Sequence, residues 1–420
     1  MPILGLIIVV AAGYAIIKRY ENRLVLLGAG LLMCLVALKP NTAFDQFQKS
    51  MTNAGLITAI CSVLGFAFVM KLTGADRHLV HLCAGFVKRF RYALIPLSAL
   101  VTFVIGIALP SASGVAAAVG AVLIPVMLAA GIHPAMAAAA IVAGSYGSNL
   151  SPGSAHVVMV AKLAKATEVQ VISGQTLPTL LTVIAAVIVL SVWAFVKKED
   201  RGHEGTGEAQ EESLKVNLLK AFVPVLPLVL LVLGSMDRFK AWNMQVSTAM
   251  VIGAIVALVI GFAADRINPT DVTKSFFDGM GKAYGDIIGI IIAAGVFTAG
   301  LKAVGLIDLL LNAMKGAEGI AAAAGTWGPM LIAGLSGSGD AATLAFNEAV
   351  TPHAAQLGLS VMNLGNLAAL SGSLGRTMSP VAGVVIVAAG LAKVSPMEVV
   401  KRTAPGMIIA SIIAFVMLGL

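Results

Sequence analysis

The chain has 420 residues, of which 59% are hydrophobic and 11% are charged, and its formal net charge is +8. Soluble globular domains carry about 25% charged residues, so this composition excludes soluble catalysis and nucleic-acid binding. Apolar runs of about 20 residues instead predict an all-α polytopic membrane protein. In such a protein the excess of Lys and Arg marks cytoplasmic loops and does not indicate an acidic partner.

In the first half, apolar helices are predicted at about 2–18, 23–39 and 54–72. The next segment, GADRHLVHLCAGFVKRFR, has apolar residues at helical spacing and basic ends, and is expected to lie on the membrane surface. Two short apolar runs around LPSASG then predict a re-entrant helical hairpin. A polar interruption, GSYGSNLSPG, predicts a broken helix, and a further span follows at about 176–196.

A single long hydrophilic stretch, residues 197–215, divides the chain near its middle and is predicted to be a flexible cytoplasmic linker. The second half, 216–420, then repeats the plan of the first, 1–196. Helices are predicted near 216–233, 241–263 and 284–301, followed by a mixed segment at about 302–316. A second hairpin around SGSGD, a second broken helix around LSGSLGRTMSPVAG and a last helix from about 405 complete the chain.

The two halves match at the level of sequence, which indicates an internal repeat. GSYGSNLSP at 144–152 aligns with GSLGRTMSP at 372–380, and the same register pairs LAK at 163–165 with LAK at 391–393. The hairpin tips SASG, at 111–114, and SGSG, at 336–339, also match. Each half has about five crossings plus one hairpin, and an odd number of crossings predicts that the second repeat is inverted relative to the first.

The basic residues support this topology, because one group of them would face the cytoplasm if both termini are outside. These residues are Lys18, Arg19, Arg23, Lys88, Arg89, Arg91, Lys197, Lys198, Arg266, Lys274, Lys401 and Arg402. Inverted repeats with broken helices are typical of secondary transporters, whose binding site lies at the repeat interface near the membrane midplane.

The four interruptions supply the candidate binding groups, because unwound backbone in a membrane must line a cavity or contact other protein. Exposed helix amino termini attract anions, and unwound carbonyls hold cations. The candidate residues for substrate binding are Ser111, Ser113, Ser145, Ser148, Asn149, Ser336, Ser338, Ser373, Arg376 and Thr377. Hydroxyls, an amide and a guanidinium suit a small carboxylate-bearing solute.

Arg376 is the most informative of these residues. A central arginine costs at least about 2.5–3.5 kcal/mol on insertion scales, and its guanidinium donates in bidentate fashion to a carboxylate. The alternative is a structural ion pair with Asp340 or Glu348. Asp340, in turn, is a proton site, a cation ligand or that partner. His156 is a titratable group near neutral pH or a structural histidine, and with Asn149 and Asp340 it forms the candidate ion-coupling set.

Two motifs of the second half resemble the DcuC family of anaerobic C4-dicarboxylate carriers. They are GRTMSPVAGVVIVAAGLAKVSPMEVVKRTAP, residues 375–405, and SGSGDAATLAF, residues 336–346. The segment AAGVFTAGLKAVGLIDLL, residues 293–310, is also similar, and the first half is collinear but weaker. More distantly, the tips and breaks resemble divalent-anion/sodium symporters of the ion transporter superfamily. Asp340 departs from the expected amide and His156 from the expected acidic residue.

The resemblance implies an elevator-type carrier of succinate, fumarate or malate in a bacterial inner membrane, commonly a homodimer, moved by exchange or by coupling to H⁺ or Na⁺. It implies no cofactor and no enzymatic activity. Two alternatives stay open: a cation/proton antiporter of the same superfamily, with Asp340 and His156 as working groups, and a carrier for another small organic anion. An intramembrane enzyme is disfavoured, because the sequence has no paired aspartates, HExxH motif or nucleophile–base constellation.

Overall fold

A computed structural model describes residues 1–18, 20–90, 93–203, 214–236, 239, 242, 244–314 and 318–420. Within these ranges the chain forms helices joined by short turns, without a β-strand, and eight of the helices are long and apolar enough to cross a membrane. The expectation of an all-α polytopic membrane protein is confirmed. Arg19, Arg91 and residues 204–213 of the expected linker lie outside the described residues.

The helices of the first half are α1 (Pro2–Ile17), α2 (Asn22–Val36), α3 (Pro40–Met51), α4 (Ala54–Thr73), α5 (Ala75–Val87), α6 (Leu94–Ala108), α7 (Ala112–Ala129), α8 (Pro134–Gly144), α9 (Ala155–Ala164) and α10 (Glu168–Val196). Those of the second half are α11 (Leu218–Phe222), α12 (Leu226–Ser235), α13 (Val246–Asp265), α14 (Pro269–Ala283), α15 (Gly289–Ala303), α16 (Leu306–Met314), α17 (Glu318–Ser336), α18 (Gly339–Ala349), α19 (Val361–Thr377), α20 (Gly383–Leu391) and α21 (Pro396–Ala414). A π-helical turn, Tyr284–Ile288, joins α14 and α15.

Two amphipathic helices, α3 and α14, are absent from the sequence-based prediction, because both are too polar to register as spans. Their start signals are nevertheless present: Pro40 occupies the first turn of α3, and the Asn268 side chain accepts a hydrogen bond from the amide of Thr270 at the start of α14. The two helices occupy corresponding places in the two halves. Helix α3 of the first half packs against α15 of the second, and α14 of the second half packs against α4 of the first.

Corresponding helices of the two halves make corresponding contacts, which agrees with the internal repeat. The first hairpin is formed by α6 and α7, which both pack on α8, and the second is formed by α17 and α18, which both pack on α19. Contacts between the halves match as well: α7 packs on α20, and α18 packs on α9. One helix of each hairpin, α7 or α17, is long and apolar enough to cross a membrane.

The buried apolar residues form two large clusters. The first, which we call the core bundle, joins α6, α7, α8 and α10 to α19, α20 and α21. The second, which we call the frame, joins α4 to α13, α14 and α15. Helices α9 and α18 contribute Val158, Met159 and Leu344 to the frame cluster although both contact α19 of the core bundle. These two helices therefore lie at the border between the core bundle and the frame.

The second broken helix unwinds later than the sequence predicted. In the first half α8 ends at Gly144, and Ser148 and Asn149 lie in a 3-10 turn, Gly147–Leu150. In the second half α19 continues to Thr377, and the helix is interrupted only over 378–382. The prediction that residues 373–377 are unwound is therefore wrong. Arg376 instead occupies the last turn of a helix, where the helix dipole favours a positive charge.

The start of the expected linker is held in place and is not free along its described length. The amide of His133 donates to the carbonyl of Glu199 at 2.9 Å, and the amide of His203 donates to the carbonyl of Gly131 at 3.0 Å. The Glu199 carboxylate also binds Arg402 of α21. Residues 199–203 are thus tied to the turn after α7 and to the core bundle.

Candidate functional site

The broken helices of the two halves meet through a buried polar contact. The hydroxyl of Ser373 donates to Asn149 Oδ1 at 3.4 Å, and both side chains are buried. Asn149 is held further by Gln175, whose Nε2 donates to the Asn149 carbonyl at 2.5 Å. The two broken helices are thus in direct contact in space, although the aligned motifs pair Asn149 with Thr377 and Ser373 with Ser145.

Both hairpin tips approach the second interruption. A Cβ atom added to Gly337, at the second tip, would lie 2.9 Å from the Val381 carbonyl oxygen. A Cβ atom added to Gly383, where α20 begins, would lie 2.9 Å from Ser113 Oγ of the first tip. The four interruptions therefore converge on one region, as a site at a repeat interface requires.

The repeated motif owes its second glycine to helix packing. A Cβ atom at Gly147 would lie 1.9 Å from the Phe103 carbonyl oxygen of α6, and one at Gly375 would lie 2.1 Å from the Met330 carbonyl oxygen of α17. Because only a residue without a side chain allows this approach, each hairpin is seated directly on its broken helix. This packing fixes the position of Arg376 next to the second hairpin.

The Arg376 guanidinium presents two donor nitrogens, Nε and Nη2, on one edge. Its Nε and Nη2 are buried and have no hydrogen-bond partner among the described residues. Asp340 is close enough to interact electrostatically with the guanidinium, but the described contacts include no ion pair between them. A buried guanidinium with unpaired donors is costly unless an anion completes it.

In Arg402 the same two nitrogens, Nε and Nη2, bind a carboxylate. Its Nε donates to Glu199 Oε2 at 2.8 Å and its Nη2 donates to Glu199 Oε1 at 2.5 Å, which is a bidentate pair with a carboxylate. Glu398 contributes a third contact, at 3.1 Å from Nη1. Arg376 offers the corresponding two nitrogens, so the group that fits there is a carboxylate.

The acidic group beside Arg376 is paired with a histidine. His156 Nε2 lies 2.9 Å from Asp340 Oδ1; His156 is buried, whereas the Asp340 side chain is 44% exposed. In the structure Asp340 therefore pairs with His156 and not with Arg376. Glu348, the other partner considered for Arg376, lines a separate cavity with Lys162.

The hydroxyl groups at the tips keep a proton to donate. Ser111 Oγ accepts from the Gly114 amide, and Ser338 Oγ accepts from the Ala341 amide, both at 3.2 Å, as amino-terminal caps of α7 and α18. Ser336 Oγ accepts from the Ser338 amide at 3.2 Å. A hydroxyl that accepts in this way retains its O–H for a carboxylate.

Two other predicted hydroxyls are already engaged as donors. Ser145 Oγ donates to the Val142 carbonyl at 2.7 Å, and Thr377 Oγ1 donates to the Leu374 carbonyl at 2.6 Å. Both side chains are fully buried. Their local hydrogen bonds stabilise the ends of α8 and α19, so these two residues hold the helix ends beside the site. Ser148 lies in the adjacent 3-10 turn.

Three polar residues near the site were missed by the sequence analysis. Gln175 orients Asn149, Thr403 donates to the Thr377 carbonyl at 2.9 Å, and Ser379 lies buried in the second interruption with its hydroxyl unpartnered among the described residues. Gln175 could have been identified from sequence, since it is a polar residue at the start of an apolar run. Thr403 could not, because only the packing of α21 brings it to α19.

The described residues contain no group of three or more His, Cys, Asp or Glu side chains arranged to hold a metal ion. An alkali cation requires oxygen ligands instead. Gln175 Oε1 is such an oxygen: it is buried beside Asn149 and has no partner among the described residues. The three cysteines, Cys34, Cys61 and Cys83, are free thiols.

The whole chain, residues 1–420, matches the model of one protein family, DcuC, described as the C4-dicarboxylate anaerobic carrier. The chain belongs to the DcuC family. The resemblance noted in the sequence is thereby confirmed over the full length, and the chain is a member of a family of multi-pass membrane transporters. Similarity to the wider ion transporter superfamily stays a prediction.

Two relatives of this DcuC-family chain span nearly its full length. The anaerobic C4-dicarboxylate transporter DcuC of Escherichia coli is 30% identical over 99% of this chain and 95% of its own. The probable anaerobic C4-dicarboxylate transporter DcuC of Vibrio cholerae is 29% identical over 96% of this chain and 93% of its own. A Haemophilus influenzae protein named only as a transporter is 43% identical over 62% of this chain.

Two solved transporters share the fold. MtrF of Neisseria gonorrhoeae, described among antimetabolite efflux pumps, matches with a TM-score of 0.63 over 92% of this chain and 85% of its own. The YdaH transporter of Alcanivorax borkumensis, described as having an unusual topology, matches with a TM-score of 0.60 over 90% and 86%. Both are 15% identical to this DcuC-family chain, so the likeness shows the fold alone.

Proposed function

We propose that this chain is a secondary active carrier of C4-dicarboxylates such as succinate, fumarate and malate in a bacterial inner membrane. The observation that carries the proposal is the buried, unpartnered Nε and Nη2 edge of Arg376. A carboxylate of the substrate completes that edge, and the hydroxyls of Ser338 and Ser111 at the tips are donors for the same solute. Family membership supports the substrate class.

The transport cycle that fits the packing is an elevator. The core bundle and the frame have separate hydrophobic clusters, and inverted repeats with re-entrant hairpins would give the core bundle an equivalent approach to either side of the membrane. In this cycle the core bundle moves with the substrate while the frame stays fixed. In a homodimer the two frames would form the interface, because a contact between parts that stay fixed does not hinder movement of the core bundles.

The coupling ion binds at or near His156 and Asp340 in this proposal. The pair joins the buried imidazole of His156 to the partly exposed carboxylate of Asp340, which suits a proton, while Asn149 and Gln175 offer oxygens to Na⁺. The same pair supports the second candidate, a cation/proton antiporter. Against it stands Arg376, since an unpaired guanidinium repels a bare cation.

Succinate counterflow in proteoliposomes, with the Na⁺ gradient and pH varied independently, separates the two candidates. The carrier hypothesis expects exchange of labelled succinate, together with accumulation driven by one of the two gradients. Cation flux driven by protons, with no dicarboxylate exchange under any condition, would establish the antiporter and reject the carrier.

A further inference from the structure

A polar cavity separate from the Arg376 region lies between the frame and the border helices. It has a volume of about 590 Å³ and is lined by α3 and α15 on one side and by α9 and α18 on the other. Its charged lining residues are Lys39, Lys49, Lys162, Lys302 and Glu348. No residue of the candidate site described above lines this cavity.

The cavity carries a formal excess of three positive charges, because four lysines face one carboxylate. Glu348 interacts electrostatically with Lys49, Lys162 and Lys302 together. None of the four cavity lysines forms an ion pair with a carboxylate of the described residues, in contrast to Lys220, Lys282 and Lys401. A basic concave surface of this kind concentrates anions and raises their rate of arrival.

The helix dipoles explain the positions of three of the four lysines but not that of the fourth. Lys49, Lys162 and Lys302 each lie in the last turn of a helix, where a positive charge offsets about half a negative charge from the helix dipole. Lys39 lies at the opposite end, as the residue before α3. Neutral donors, Thr42 and Asn53 among them, also line the cavity, as they would in a site for a carboxylate.

Two helices connect the cavity with the candidate site. On α9, His156 lies at the site and Lys162 at the cavity, about 9 Å further along the helix axis. On α18, Asp340 lies at the site and Glu348 at the cavity, about 12 Å further. Both helices run in the same direction from one to the other, so the cavity adjoins the site at the border between the core bundle and the frame.

We propose that this lysine-lined cavity is a second binding site for the dianionic substrate, an entry vestibule that collects a small dicarboxylate before it reaches Arg376. This inference rests on the proposed carrier function. A lipid phosphate would compete for the same lysines, but the neutral polar donors of the lining, such as Thr42 and Asn53, favour a small soluble dianion over a lipid headgroup.

The test compares two double variants that remove the same charge. K49Q/K162Q removes two cavity lysines; K71Q/K274Q removes two exposed lysines elsewhere, of which Lys71 also lies in the last turn of a helix. For succinate uptake at low ionic strength we expect the cavity variant to raise KM about three- to tenfold, with the maximal rate within about twofold of wild type. At 0.5 M salt, roughly, the difference should vanish because the charges are screened.

Direct binding provides the second readout. In Arg376→Gln protein, which lacks the anchor of the central site, calorimetry with succinate should still detect weak binding, and adding K49Q/K162Q should abolish it. Equal KM for the two double variants, or binding that survives in the triple variant, overturns the vestibule. A KM effect seen only in vesicles that contain anionic lipid, and not in phosphatidylcholine vesicles, assigns the cavity to lipid and also overturns it.

The two proposals fail in different ways. If wild-type protein exchanges no dicarboxylate, the carrier function fails, and the vestibule fails with it. If wild-type protein exchanges succinate but K49Q/K162Q behaves as K71Q/K274Q does, the vestibule alone fails and the carrier function stands.

Discussion

His156 Nε2 lies 2.9 Å from Asp340 Oδ1, and this contact joins the broken helix of the first half to the hairpin tip of the second. His156 is the second residue of α9, seven residues after Asn149, and Asp340 is the second residue of α18. A change of charge at the pair therefore acts on both halves of the chain at once. It also changes the charge next to Arg376, which interacts electrostatically with Asp340.

Asp340→Asn should separate coupling from exchange. The amide keeps the size of the side chain and a hydrogen bond to His156 but removes the negative charge that a proton on the pair would neutralise, so we expect proton-driven accumulation of succinate to be lost while counterflow stays within about threefold of wild type. Uptake under an imposed pH gradient and counterflow without one are the two measurements. Asp278→Asn, the same carboxylate-to-amide change at an exposed residue of α14, serves as the matched control.

Proton-driven accumulation that persists in Asp340→Asn would locate coupling elsewhere. Na⁺-driven accumulation in the same variant would assign the coupling ion to the oxygens around Asn149 and Gln175.

Arg376→Lys should abolish efficient transport although it preserves the charge. Lysine cannot reproduce the Nε and Nη2 fork, and the loss of a bidentate carboxylate contact costs about 2–4 kcal/mol, or roughly 30- to 1000-fold in kcat/KM. Arg376→Ala should be inactive at normal expression. Initial uptake rates over a range of succinate concentrations provide the measurement, and the exposed Arg266→Lys is the matched control. A normal KM in Arg376→Ala would make Arg376 a structural residue.

Arg402→Gln should reduce stability, in contrast to Arg376→Gln. Arg402 and Glu199 have side chains only 8% and 13% exposed, so removal of the guanidinium leaves a poorly solvated carboxylate without its partner. The expected cost is about 3–5 kcal/mol. Thermal unfolding in detergent should show a large fall in Tm for Arg402→Gln and little change for Arg376→Gln, whose donor edge has no partner to lose. Equal effects of the two changes would contradict this distinction.

Alanine at the motif glycines should prevent correct packing of the hairpins. A Cβ atom at Gly147 or Gly375 would lie within 2.1 Å of a backbone carbonyl oxygen, which cannot move aside as a flexible side chain would. We expect losses of about 3 kcal/mol or more for each. Gly390→Ala, in α20, meets nothing within 4 Å and should be neutral. Tm in detergent and the fraction of monodisperse protein are the readouts.

Acidification should loosen the turn before α8 through His133. Its neutral Nδ1 accepts a hydrogen bond from the Ala135 amide at 3.2 Å, and burial lowers the pKa of this imidazole below its ordinary 6.5, with the charge of Arg402 as a smaller cause. Well above pH 6.5 the ring is neutral in both folded and unfolded protein. As the pH falls below 6.5, the unfolded chain binds the proton first, so the free energy of unfolding decreases.

His133→Asn keeps a cap acceptor without a titrating group. We therefore expect the difference in Tm between pH 7 and pH 5 to be smaller in His133→Asn than in wild type. An unchanged pH dependence would assign the acid sensitivity to other groups.

Much of the fold was predictable from sequence for identifiable reasons, whereas the roles of the site residues stay predictions. Long apolar runs and two matching polar motifs predicted the spans, the hairpins and the repeat, because a membrane allows polar interruptions only where other groups satisfy them. Helices α3 and α14 were missed because their amphipathic composition lies between that of a span and that of a loop. The end of α19 was misplaced, since symmetry with α8 suggested unwinding at Ser373 whereas the helix continues to Thr377.

The sequence by itself determined that this is a helical membrane protein, and it predicted an internal repeat with an arginine in the second polar interruption. These features follow from local composition and from the cost of polar groups in lipid. Only the tertiary structure decided the partners: His156 for Asp340, Asn149 for Ser373, and none among the described residues for the Nε and Nη2 edge of Arg376. Contacts between segments far apart in the chain depend on how the helices pack, and single-residue patterns do not encode that packing.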